Sequence, residues 1–118
     1  MENPQLESAT REQLIEELTF TSKIILEASK FLSWNSIKVL ICIAPNMKSD
    51  DKILLDQKTI QEKLYYKGVT SVISALKQLN EYGIITTIKD NNDKRKNIYF
   101  FNSYKNWKGE LGERVKGL

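Results

Sequence analysis

From about residue 8 to residue 32, apolar side chains recur at three- and four-residue spacing. Leu14, Ile15, Leu18, Ile25, Leu26 and Leu32 form the stripe, with Glu12, Glu16 and Glu17 on another face. That period predicts an amphipathic helix, and residues 19–22 offer a place for it to divide in two. Phe20, Ile24, Ile25, Phe31 and Leu32 add more apolar surface than one peripheral helix needs. The stretch therefore packs on the chain's own core or forms a dimer interface, and the pattern leaves both open. Ser33 suits the N-cap of a second helix over residues 34–44, which Pro45 and Asn46 would end. Its inner stripe would be Ile37, Leu40, Ile41 and Ala44. Residues 46–52 read as a polar loop and residues 53–55 as a short β segment.

Asp56 is placed to cap a helix over 57–65, with Ile60 and Leu64 facing inward. Tyr65-Tyr66-Lys67-Gly68 reads as a tight turn, with Gly68 available for a positive φ. The clearest helix spans residues 69–82, where Val69, Val72, Leu76 and Leu79 repeat on one side and Gly83 follows at the usual C′ position. Residues 84–89 and 97–102 are β-prone, and the seven residues between them are turn-forming and basic, so a hairpin with a charged tip is expected. The closing residues, with Gly109, Gly112 and Gly117, read as loosely ordered.

The expected fold class is mainly α with a small β-hairpin, an α+β chain. The order from Asp56 to Asn102 (capped helix, tight turn, longer helix, hairpin with a Lys/Arg tip) is the layout of a winged helix-turn-helix with extra N-terminal helices. The expected organisation is a helical extension over 1–32 with a possible dimerisation role, a winged helix over 33–109, and a flexible tail over 110–118. A major groove admits one α-helix, and the hairpin beside it can reach flanking backbone or minor groove. If Val72, Leu76 and Leu79 face inward, then Thr70, Ser71, Ile73, Ser74 and Lys77 face outward, with Asn80 beyond them. Tyr66 and Lys67 stand at the helix entrance, and Lys94, Arg95 and Lys96 at the wing tip, near Lys89. These are the candidate DNA-binding residues. The helix carries no arginine, so readout of A·T-rich sequence or of DNA shape is expected rather than bidentate guanine contacts.

Charge sharpens this picture. The net charge is only +3, but residues 1–46 carry 4 basic and 6 acidic side chains, whereas residues 47–108 carry 12 and 7. The positive charge thus accompanies the candidate interface. At 41% hydrophobic and 28% charged, the 118 residues suit one folded domain.

The chain has no histidine and one cysteine, which removes the commonest general base and metal ligand and any intrachain disulfide. Cys42, inside an apolar run, reads as a small core residue in a reducing, cytoplasmic setting. The tyrosines read as structural or phosphate-contacting, and the carboxylates lack metal-ligand spacing. We expect no enzyme activity, no cofactor, no metal and no small-molecule substrate. No apolar stretch approaches the roughly 20 residues that span a bilayer, and the N-terminus resembles neither a signal nor a transit peptide, so no membrane partner is expected.

The stretch from Leu55 to Leu64, followed by Val72-x-x-Ala75-Leu76-x-x-Leu79-x-x-x-Gly83-Ile84-Ile85, resembles the winged-helix domains of bacterial plasmid and phage replication proteins. It is similar also to winged-helix regulators of the MarR type. The ending from Tyr99 to Gly109 resembles the segment that closes the wing in RepL-type replication proteins, with Ser103 where a proline is common. The resemblance covers about residues 33–109. It implies a double-stranded DNA-binding protein of a mobile element, acting in replication, maintenance, transfer or transcription control. A homodimer paired through the N-terminal helices is the expected assembly. The alternative is a winged-helix protein-interaction module that does not bind DNA.

Overall fold

The computed structural model describes residues 4–44, 53–92 and 97–118, and of residues 4–9, 53 and 54 the backbone alone. The expected stop at Pro45 and Asn46, the loop up to residue 52, and the hairpin tip with Lys94, Arg95 and Lys96 lie outside the described residues. The rest is mainly helical with a small antiparallel sheet. In order, the elements are α1 (Pro4–Ala28), α2 (Trp34–Ile43), β1 (Ile53–Leu55), α3 (Gln57–Lys63), α4 (Thr70–Glu81), β2 (Ile85–Lys89), β3 (Asn97–Phe101), a 3₁₀ turn (Tyr104–Asn106) and α5 (Gly109–Lys116).

The expected division near residues 19–22 is absent, and α1 runs straight through it. Thr19 satisfies its hydroxyl locally by donating to the Ile15 carbonyl at 2.9 Å, so the polar residue does not break the helix. The helix ends at Ala28, short of residue 32, where Lys30 and Phe31 amides donate to Glu27 and Ala28 in tighter turns. Ser33 caps α2 as expected, accepting from the Ser36 amide. The inner face of α2 is Ile37, Val39, Leu40, Ile43 and Ala44, and Ile41 is corrected from core to surface at 49% exposed.

Asp56 caps α3 with both oxygens, accepting from the Lys58 amide at 3.0 Å and the Thr59 hydroxyl at 3.1 Å. The turn that follows corrects the reading of Gly68. Tyr65 takes the left-handed conformation, at φ 57°, and Gly68 does not. The hydrogen bonds give the reason. The Tyr66 amide donates to Gln61 and the Tyr65 amide to Glu62, a Schellman closure that demands positive φ at the residue after the C-cap. The end of α4 repeats this pattern with glycine: Ile84 donates to Leu79, Gly83 to Asn80, and Gly83 sits at φ 71°.

The sheet order is β1-β3-β2, antiparallel throughout, with Leu55 opposite Tyr99 and Ile85 opposite Phe101. Phe101 is fully buried and joins Val72, Leu76 and Leu79 of α4, Leu40 of α2 and Ile24 of α1 in one core. Side-chain alternation on β3 places Tyr99 and Phe101 on the inner face.

The largest departure from expectation is at the C-terminus. Residues 110–118, expected as a flexible tail, are mostly helical: α5 buries Leu111 and Val115. Trp107 anchors the segment at 1% exposure, its indole N–H donating to the Asn102 carbonyl at 3.2 Å. Asn102 in turn donates through Nδ2 to the Gly83 carbonyl and the Thr86 hydroxyl, and the Lys108 amide donates to the Tyr82 carbonyl. The chain end is thereby tied to the junction between α4 and β2. Of the glycines that suggested looseness, Gly112 serves packing: a Cβ there would overlap the Trp107 carbonyl.

Candidate nucleic-acid interface

The surface in question is built on α4. Its inner side is Val72, Ala75, Leu76 and Leu79, each at most 1% exposed. Helical periodicity then puts Thr70, Ser74 and Lys77 in one line on the opposite side, all exposed, with Ile73 beside them at 44% exposure. Asn80 is also exposed. Ser71 is corrected: it is half-buried rather than outward, because it lies on the flank of α4 between the two faces. The same line ends in Glu81, the last residue of α4, and residues 70–80 before it carry no acidic side chain.

Two attachments hold α4 beside its neighbours. The Ser33 amide donates to Gln78 Oε1 at 2.9 Å, bringing the start of α2 against the C-terminal half of α4. Ser33, Ser74, Lys77, Gln78 and Glu81 line a shallow open hollow between them. On the other side, the Thr87 hydroxyl donates to Asn80 Oδ1 at 3.2 Å and ties β2 to the helix. A second hollow follows there, lined by Asn80, Thr86, Thr87 and Lys108 among others.

Tyr66 stands at the entrance, as expected, but it is half-buried and engaged. Its hydroxyl donates to Asn35 Oδ1 at 3.0 Å. Lys38 Nζ lies 5.5 Å from the centroid of the Tyr66 ring and 5.5 Å from that of Trp34, within cation–π range of both. Trp34 is 68% exposed and Tyr65 93%. Lys67 is exposed next to them. Sequence reasoning missed Trp34, Asn35, Lys38 and Gln78. The pair Trp34 and Lys38, four apart just after a helix cap, was a readable signal; the approach of Asn35 to Tyr66 was not, since 31 residues separate them.

The structure thus brings together Tyr66, Lys67, Thr70, Ile73, Ser74 and Lys77, leaves Ser71 at the margin, and adds an aromatic–lysine cluster. Lys94, Arg95 and Lys96 lie outside the described residues. Lys89, at the end of β2, is exposed. Such a surface offers hydroxyl donors and acceptors, three lysines and exposed aromatic faces, which suit phosphate, sugar and base-edge contacts.

Elsewhere, burial pushes the Cys42 thiol above its usual range, an effect that Lys63 partly opposes, so the thiol is held in its neutral, poorly nucleophilic form. Among the described residues, no group of three His, Cys, Asp or Glu side chains could hold a metal ion, and no helix is long and apolar enough to cross a membrane. Comparison with protein families, curated proteins and solved structures finds no match to this chain.

Proposed function

We propose that this chain is a winged helix-turn-helix protein that binds double-stranded DNA, with α3 and α4 as the helix pair and β2 and β3 as the wing. The observation that carries this reading is the outward face of α4. Over its first two turns that face presents Thr70, Ile73, Ser74 and Lys77 and no carboxylate. Short side chains let a helix approach base edges closely, lysine neutralises phosphate, and an exposed isoleucine suits thymine methyl groups. Tyr66 and Lys67 precede the N-terminal end of α4, and Lys38 lies by the rings of Tyr66 and Trp34, where backbone phosphates would lie. The wing would carry Lys94, Arg95 and Lys96 to flanking DNA. The lack of arginine on α4 favours A·T-rich or shape-dominated targets. Such a protein would serve replication, maintenance, transfer or transcription control of a plasmid, phage or similar element, on the strength of the resemblance of residues 33–109 alone.

The test is salt-titrated binding to a library of plasmid and genomic fragments, with the bound fragments recovered. The reading predicts affinity that falls steeply with salt and a narrow recovered set sharing a motif, whose location names the process. Recovery of nothing above background at low salt would refute it.

A further inference from the structure

Along α1 the described side chains divide into an exposed stretch and a buried one. Every residue from Thr10 to Thr19 is exposed; the core takes up α1 further along, through Ile24 and Ala28, with α2 and α5 as its main neighbours and Phe20 edge-on against Tyr104 of the 3₁₀ turn. The whole helix is about 37 Å long at 1.5 Å per residue. The exposed run from Thr10 to Thr19 is by itself too short to be more than marginal as a helix in water. It nonetheless carries Leu14 at 53%, Ile15 at 58% and Leu18 at 67% exposure, continued by Leu26 at 64%.

This stripe lies about a third of a turn from the face that enters the core. It shares Leu14 and Leu18 with an open groove of about 430 Å³, lined also by Glu17 and Ile25 of α1 and by Ile41 and Ala44 of α2, among others. The exposure of Ile41, unexplained by the chain's own core, belongs to this groove. One surface therefore offers both protruding leucines and a place to receive them, the condition for an isologous two-fold contact.

We infer that α1 pairs with α1 of a second copy of this chain, antiparallel, with Leu14 and Leu18 of each seated in the other's groove. Charge sets the direction. Glu12, Glu16 and Lys23 fall on one flank of the stripe, the carboxylates in the first half and the lysine in the second. In an antiparallel pair like flanks meet in reversed order, so Glu12 and Glu16 face Lys23 of the second copy. A parallel pair would bring them to the opposite flank, which carries Glu17. The acidic flank also disfavours an anionic lipid surface, which selects basic faces. This pairing stands on α1 and does not rest on the DNA reading.

Sedimentation velocity of the full chain, without DNA, tests it. The wild type should run at twice 13.7 kDa at micromolar concentration. Leu18→Glu should raise the dissociation constant at least about 30-fold, the effect of a central interface residue, and leave a folded monomer, since Leu18 is 67% exposed. Lys23→Glu and the pair Glu12→Lys with Glu16→Lys should each weaken the dimer, and all three together should restore it. A monomeric wild type, or a dimer indifferent to Leu18→Glu, would overturn the proposal. A dimer tightened by Glu12→Lys with Glu16→Lys alone would overturn the antiparallel order.

Discussion

α1 and α4 are both helices with one face in the core, and they differ in what the other face offers. The outward side of α4 is hydroxyls and a lysine, with a single isoleucine; that of α1 is leucine and isoleucine flanked by carboxylates. The first suits a wet, polyanionic partner and the second a dry, self-complementary one. Both sequences show helical periodicity, so the period identifies the helix while the chemistry of the unburied face separates two kinds of partner within one small domain.

The largest expected effect tests whether the buried face of α4 and the exposed stripe of α1 are as unequal as the structure has them. Leu76→Ala or Leu79→Ala, each fully buried on α4, should cost about 2–5 kcal/mol in denaturant unfolding. Leu14→Ala, made in the monomeric Leu18→Glu background, should stay within about 0.5 kcal/mol of that background. A comparable loss at Leu14 would mean that the α1 stripe is core, and the contrast would collapse.

Next in size is the outward face of α4. Ser74→Phe should weaken specific DNA binding about 10- to 100-fold, equivalent to about 1–3 kcal/mol per lost base contact, with the melting temperature unchanged because Ser74 is exposed. Ser74 is a better test than Ser71, whose half-buried position mixes folding with binding. Surviving specific affinity would remove α4 as the reader.

Smaller per residue is the charge effect. Lys94→Ala with Arg95→Ala and Lys96→Ala should flatten the logarithmic salt slope by up to about 3 units, and Lys77→Ala by about 1, with binding to all sequences weakened alike. An unchanged slope in the triple variant would take the wing out of the interface. The smallest change should be favourable. Tyr65→Gly relieves a side chain held at positive φ and should stabilise the fold by about 1 kcal/mol, since Tyr65 is 93% exposed and buries nothing. If it also weakens DNA binding, Tyr65 is kept at that strained position for contact; if binding is untouched, the strain has another origin.

Much of the fold was legible in the sequence because its strongest signals are local. Asp56 and Ser33 cap their helices as read, and Val72, Leu76, Leu79 and Gly83 define α4 within a residue at either end. What escaped depends on contacts distant in sequence. Period alone could not say that Ile41 would face a groove, nor that Leu14 and Leu18 would stay exposed. The closing residues, with Gly109, Gly112 and Gly117, read as loosely ordered, yet Gly112 is small so that α5 can close on the Trp107 carbonyl, with Leu111 and Val115 buried beside it. Gly68 seemed the natural left-handed residue, but closure of α3 fixed that conformation at Tyr65. At the candidate interface, the outward set on α4 was readable from spacing, while Trp34, Asn35 and Lys38 became part of it only when α2 folded back against the α3–α4 turn.

The central claim, that α4 meets DNA while the stripe on α1 does not, is tested most directly by titrating the isotope-labelled protein with a DNA duplex at low salt and following the backbone amide resonances. The account predicts shifts clustered at Tyr66, Lys67, Thr70, Ile73, Ser74 and Lys77, with a second group at Lys94, Arg95 and Lys96, and none at Leu14 or Leu18. Shifts centred on α1, or a spectrum that DNA leaves unchanged, would contradict it.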